Sequence, residues 1–127
     1  MKTELQEKLY KKYPKLFVQH VESPKATCMC WGFECGDGWY WLIDQLCDSI
    51  QRYIDSNKKE QVEVVQVKEK FGTLSFYTYN SDDLIQGMIW LAESMSANVC
   101  EVCGSTEEVT QSEGWIKTRC KVCWDKE

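Results

Sequence analysis

Residues 61–80 read Gln61-Val62-Glu63-Val64-Val65-Gln66-Val67-Lys68-Glu69-Lys70-Phe71-Gly72-Thr73-Leu74-Ser75-Phe76-Tyr77-Thr78-Tyr79-Asn80. The run 61–70 is rich in valine, and the run 73–80 is rich in aromatic and β-branched residues, the types that suit a pleated, half-buried surface. Phe71-Gly72 lies between them as a tight connection, with Gly72 supplying the positive φ such turns demand. The stretch predicts an antiparallel hairpin. Its alternation is imperfect, because Val64-Val65 and Phe76-Tyr77 put apolar groups on both faces, which a covered sheet or a subunit contact would explain.

Helical patterns flank the hairpin. Over 39–55, Trp39, Leu42, Ile43, Leu46, Cys47, Ile50, Tyr53 and Ile54 form one apolar stripe, with Asp37 in the position of an N-cap carboxylate. Over 84–97, Leu84, Ile85, Met88, Ile89, Leu91, Ala92 and Met95 repeat the pattern after the capping sequence Ser81-Asp82-Asp83. Residues 3–13 predict a shorter amphipathic helix through Leu5, Leu9, Tyr10 and Tyr13, stopped by Pro14. Residues 18–38 show no sustained period and read as an ordered loop. The expected fold is α+β: amphipathic helices packed on an antiparallel hairpin or small sheet over residues 1–98, with a zinc-ribbon or treble-clef-like element at 99–127 packed on that core.

With 127 residues, 43% of them hydrophobic, the chain is long enough for one core and too short for two ordinary domains. No apolar run approaches the length of a membrane span, and Met1-Lys2-Thr3-Glu4 leads into no apolar signal segment, so the expected location is cytoplasmic. Fifteen basic against twenty acidic side chains give a net charge of −5, which argues against a broad nucleic-acid footprint. The charge is uneven: five lysines face only Glu4 and Glu7 within residues 1–15. That gives either a solvated helix face or a docking surface for an acidic partner.

Cys100-Glu101-Val102-Cys103-Gly104 and Cys120-Lys121-Val122-Cys123 are two C-x-x-C pairs separated by sixteen residues. Each pair lets two sulfurs converge on one ion, and two pairs complete a closed tetrahedral shell, so Cys100, Cys103, Cys120 and Cys123 are the expected ligands of one Zn²⁺. Residues 114–118 supply strand-like material between the pairs. Four thiolates leave no open position for water or substrate, so the site is read as structural. Cys28, Cys30 and Cys35 with His20 are open to three readings: a second zinc site, packed free thiols, or a regulatory disulfide. Cys47 reads as core.

His20 is the only histidine, and it has no triad partners. No H-x-E motif precedes the cysteines, and no phosphate-cradling glycine motif is present. Two segments are nevertheless dense. In Glu34-Cys35-Gly36-Asp37-Gly38-Trp39-Tyr40-Trp41, two glycines and a cap carboxylate bring backbone close to something just ahead of a helix N-terminus. In 67–77, Lys68 and Lys70 share one strand face while Glu69 points to the other. Two ammonium groups beside aromatic rings can hold phosphates while a ring stacks on a base. The candidate ligand-binding residues are therefore Asp37, Trp39, Lys68, Lys70 and Tyr77. On the plainer alternative Trp39 is core, Asp37 a cap and the lysines solvated. An enzyme would use Asp37, Glu69 and Lys68 as acid, base and charge clamp.

Through Glu34–Trp39, Gln66–Tyr77 and Cys100–Gly104 with Cys120 and Cys123, the chain resembles a group of small proteins encoded in phage genomes and prophages. The resemblance covers the order of motifs over residues 33–123 and carries no assigned activity; Cys28 and Cys30 fall outside its pattern. It implies a setting in the host cytoplasm and an accessory role, such as neutralising a host defence component. The expected function is a non-catalytic binding protein that sequesters a small nucleotide signal or a host protein, with homo-oligomerisation as a way to build a deeper pocket. The alternatives are a nucleic-acid-binding regulator using the zinc ribbon and the basic N-terminal helix, and a small enzyme acting on a nucleotide.

Overall fold

The structure, a computed structural model, describes residues 1–21 and 28–127; part of the expected loop, residues 22–27, lies outside the described residues. Helix α1 (Thr3–Lys12) is followed by 3-10 turns at Val18–Val21 and Cys28–Trp31. Strand β1 (Phe33–Glu34) and a 3-10 turn at Asp37–Trp39 lead into α2 (Tyr40–Asn57). The hairpin β2 (Glu63–Lys70) and β3 (Thr73–Tyr79) precedes α3 (Asp83–Ser96). The chain then forms β4 (Val109–Gln111), β5 (Thr118–Cys120) and α4 (Lys121–Asp125). Among the described residues the architecture is α+β, with one three-stranded and one two-stranded sheet.

The hairpin forms as its sequence implies. Phe71 and Gly72 both have positive φ, 52° and 83°, the pair of left-handed residues that a two-residue hairpin turn needs. A bulge between Val64 and Gln66 shifts the register, so Val64 and Val67 are both buried although they are three apart. This bulge accounts for much of the imperfect alternation. Beyond it the faces separate cleanly. Val67 pairs with Phe76 and Glu69 with Leu74 on the inner face, while Gln66, Lys68 and Lys70 pair with Tyr77, Ser75 and Thr73 on the outer one.

The core lies between the inner face and the helices. Leu42, Ile43, Leu46, Cys47, Ile50 and Ile54 of α2 join Ile85, Ile89 and Ala92 of α3 and Val64, Val67, Leu74 and Phe76 of the sheet. Helix α3 starts where the capping sequence put it, with the Asp82 carboxylate accepting the Ile85 amide at 2.9 Å. Helix α1 closes one end of the core through Leu9, joined by Tyr13 just past its end, and Tyr10 packs with Phe17 and Phe33. Asp44, nearly buried on α2, accepts from the Tyr13 hydroxyl (2.6 Å) and the Lys12 ammonium (3.0 Å).

Three local expectations are corrected. Within the expected loop, β1 adds a parallel edge strand beside β2, with Phe33 opposite Val67 and Glu34 opposite Lys68. It is too short to leave a period in the sequence. Asp37 does not cap α2: its carboxylate accepts the Lys2 amide at 2.7 Å and so caps α1, while Trp39 occupies the N-cap of α2 without a side-chain bond to the helix amides. Residues 114–117 form the turn between β4 and β5, where Gly114 has φ 70°, and only Thr118 of the expected strand belongs to one.

Candidate functional site

Cys100, Cys103, Cys120 and Cys123 come together as the sequence spacing requires, their sulfurs all within 4.8 Å of one another. The first pair sits on a tight knuckle in which Gly104 N–H donates to the Cys100 carbonyl at 2.9 Å. The second pair straddles the end of β5 and the first turn of α4, and β4 ties it down through the pairing of Val109 with Cys120. Four sulfurs about 2.3 Å from a tetrahedral centre stand about 3.8 Å apart. Cys103 and Cys120 are separated by 3.7 Å. Burial pushes the Cys100 thiol up, but amides of Cys103, Cys120 and Val102 donate to the sulfur and bring it down to about 6. Burial and the neighbouring sulfurs instead push Cys123 up to about 12. The donor set fits a thiophilic metal ion with a closed shell.

The glycines of residues 34–41 are explained by this metal element. Gly38 N–H donates to the Glu101 carbonyl at 2.8 Å, and Gly36 N–H donates to the Glu101 carboxylate at 2.8 Å. A side chain on Gly38 would collide with the Cys100 carbonyl oxygen. The backbone thus approaches the protein's own cysteine knuckle. The hairpin tip docks on the same element: Thr118 Oγ1 donates to the Gly72 carbonyl, and a Cβ on Gly72 would lie 2.9 Å from Gln111 Nε2. Residues 36–38, the hairpin tip and the cysteine knuckle thus meet at one joint.

The five candidate ligand residues do not form one site. Trp39 is fully buried, and its indole N–H donates to the Val99 carbonyl at 2.9 Å; no ring face is open for stacking, and this corrects its place in the ligand set. Asp37 lies at the metal joint. Lys68, Lys70 and Tyr77 share the outer face of the sheet, with the Lys68 ammonium 6.0 Å from the Tyr77 ring centroid. Tyr79, which the sequence reading did not single out, extends that face and is 64% exposed. Next to it a concavity of about 650 Å³ is bordered by Gln19, Gln66, Tyr77 and Tyr79.

A second cleft, of about 460 Å³, lies where the metal element meets residues 36–37 and β2. Its lining includes Asp37, Glu69, Glu101, Trp115, Lys117 and Arg119. Asp37 and Glu69 therefore do meet in space, without Lys68. Each carboxylate already accepts a backbone amide: Lys2 for Asp37, Gly72 for Glu69 and Gly36 for Glu101, at 2.7, 2.7 and 2.8 Å. Burial raises the Glu101 carboxyl above its usual range, with Gly36 opposing the shift. The cations are engaged as well, Arg119 with Glu127 at 2.7 Å and Lys117 with Glu127 at 3.7 Å. Glu101 was missed from sequence because its partner Gly36 lies far away along the chain.

Among the described residues no second group of His, Cys, Asp or Glu could hold a metal. His20 stacks on Tyr10, with ring centroids 3.9 Å apart. Cys35 is buried and its thiol is pushed up to about 12 by that burial; Cys47 is buried in the core. None of the eight cysteines is in a disulfide. No helix among the described residues is long and apolar enough to cross a membrane. Compared with models of known protein families, with curated protein sequences and with solved structures, the chain has no significant match.

Proposed function

We propose that this is a non-catalytic binding protein of phage type, built on one structural zinc ion, that holds a small nucleotide-like ligand on the outer face of its three-stranded sheet. Zinc is the reading for the four-cysteine cluster because an all-thiolate tetrahedral set suits that ion and leaves it no open position. The order of knuckle, two-stranded hairpin and helix start supports a treble-clef-like element. Its place is architectural: the knuckle carries the seat for residues 36–39.

The observation that carries the ligand reading is the Lys68 ammonium over the Tyr77 ring, with Lys70 on the same face. A phosphate can sit between the two ammonium groups while a base stacks on Tyr77 or Tyr79. Glu34, the β1 neighbour of Lys68, brings a carboxylate suited to sugar hydroxyls. In this setting the protein would act by sequestration, removing a host signal without altering it. A nucleic-acid role through the zinc element has less support, because Lys117 and Arg119 face Glu127 and Lys121 faces Asp125.

The experiment is a native mass spectrum of the protein purified from bacterial cells, followed by titration of the retained molecule. The expected species carries one zinc per chain and a further small mass. Lys68→Ala, Lys70→Ala and Tyr77→Ala should each weaken binding about tenfold or more. Unchanged binding in all three variants would remove the sheet face from the proposal.

A further inference from the structure

The α2–α3 face of the molecule presents an apolar surface that the core does not use. On α3, Ile85, Ile89 and Ala92 are buried, yet Leu84, Leu91 and Met95 are 54%, 62% and 42% exposed. Leu84, Met88, Leu91 and Met95 follow one another at intervals of four, three and four residues, the spacing of a helix seam that packs against another helix. Beside this ridge runs a groove of about 200 Å³ between α2 and α3, floored by Leu42, Leu46 and Ala92 and bordered by Trp41, itself 64% exposed. Among the described residues no charged side chain lines it.

We propose that a second copy of this chain docks on this face, giving a twofold homodimer with α3 at its centre. The first argument is area. Trp41, Leu84, Leu91 and Met95, all more than two-fifths exposed, together present roughly 450 Å² of surface, close to the apolar share of the ~800 Å² that each partner buries in a standard stable interface. The second is self-complementarity. Each copy offers both a ridge, Leu84 and Leu91, and a groove beside it, so a single twofold axis lets each ridge enter the other's groove. The third is charge. A chain of net charge −5 is repelled by its own copy, but the groove is lined by uncharged residues, and physiological salt screens the remainder within about 8 Å. This assignment is independent of the ligand on the sheet face.

Trp90 supplies an internal control. It is 74% exposed on the same helix, but one residue before Leu91 and so about 100° around the helix from the ridge. The experiment is the molar mass of the full, metal-loaded chain by sedimentation and light scattering across a dilution series in physiological salt. Wild type should run as two chains, as should Trp90→Glu. Leu91→Glu on the ridge and Ser49→Arg in the groove should each shift the dissociation constant at least tenfold toward single chains, with metal content and circular dichroism unchanged. A wild type that stays one chain at the highest concentration overturns the proposal, including the case in which a different protein is the natural occupant. A dimer that survives both variants, or one that Trp90→Glu disrupts equally, overturns it as well.

Discussion

The Gly38 amide donates to the Glu101 carbonyl at 2.8 Å, and this bond joins the entry to the central helix with the first metal knuckle. A methyl group on residue 38 would run into the Cys100 carbonyl, which is backbone and cannot rotate away. Gly38→Ala should therefore cost ~1–3 kcal/mol, the range for forced overpacking. For a chain of this length that is a fall of roughly 3–12 °C in Tm. Gly87 offers the opposite case, since it lies exposed within α3 with nothing near its missing side chain. Gly87→Ala should raise stability by ~0.5–1 kcal/mol. Thermal melts of the two variants check both signs.

Removing the metal should melt the C-terminal element first. Apparent binding energies of ~10–16 kcal/mol for structural zinc are folding energy in elements too small for a core of their own. Chelation, or Cys103→Ser, should expose the amides of β4 and β5 to hydrogen exchange before those of β2 and β3. It should also disturb the near-ultraviolet signal of Trp39, whose indole bonds the Val99 carbonyl next to the knuckle. Protection of β4 and β5 that survives metal removal would contradict the structural role.

Tyr13 is buried and donates to the Asp44 carboxylate at 2.6 Å. Tyr13→Phe keeps the ring but leaves a nearly buried carboxylate with the Lys12 ammonium alone. The expected loss is ~1–3 kcal/mol, the cost of an under-satisfied buried acceptor. Denaturant titration reads it as a lower midpoint with an unchanged slope.

Two carboxyls should move stability in opposite directions with pH. Burial raises Glu93 in the folded state, against the Phe76 amide that donates to it at 2.9 Å. Its contribution is fullest when it is protonated and is lost as pH rises through the folded value. Glu93→Gln keeps an acceptor for Phe76, so it should melt above wild type at neutral pH and converge with it in acid. Asp82 is lowered, first by the Tyr53 hydroxyl at 2.7 Å and then by the Ile85 amide. Its contribution is present above the ordinary aspartate range and is lost as pH falls through the folded value. Asp82→Ala should therefore melt below wild type at neutral pH, with the gap closing in acid. Melts across the acid range distinguish the two.

The hairpin, the helices and the four-cysteine cluster were legible because each is specified by residues close together in the chain. Val64–Val67 and Phe71-Gly72 signal a strand and its turn locally, the α3 stripe and Asp82 cap lie within one helix, and each C-x-x-C pair is its own knuckle. What remained hidden depends on contacts between distant segments. Strand β1 is two residues long and exists because β2 pairs with it. Asp37 had the spacing of a cap for α2, but the Lys2 amide reached it first.

The same division separates the candidate sites. By itself the sequence determined that four thiols would converge on one point, that Lys68 and Lys70 would share a face, and that Gly36 and Gly38 would admit close-approaching backbone, since strand and knuckle geometry repeat over a few residues. Only the tertiary structure decided what approached those glycines. It turned Trp39 into the core and left Tyr77 beside Lys68 on the open face. It also left Leu84, Leu91 and Met95 exposed next to Trp41. A helical stripe records which residues are apolar, but which part of the stripe is covered depends on the width of the sheet and the lean of the neighbouring helix, and these are properties of the packed chain.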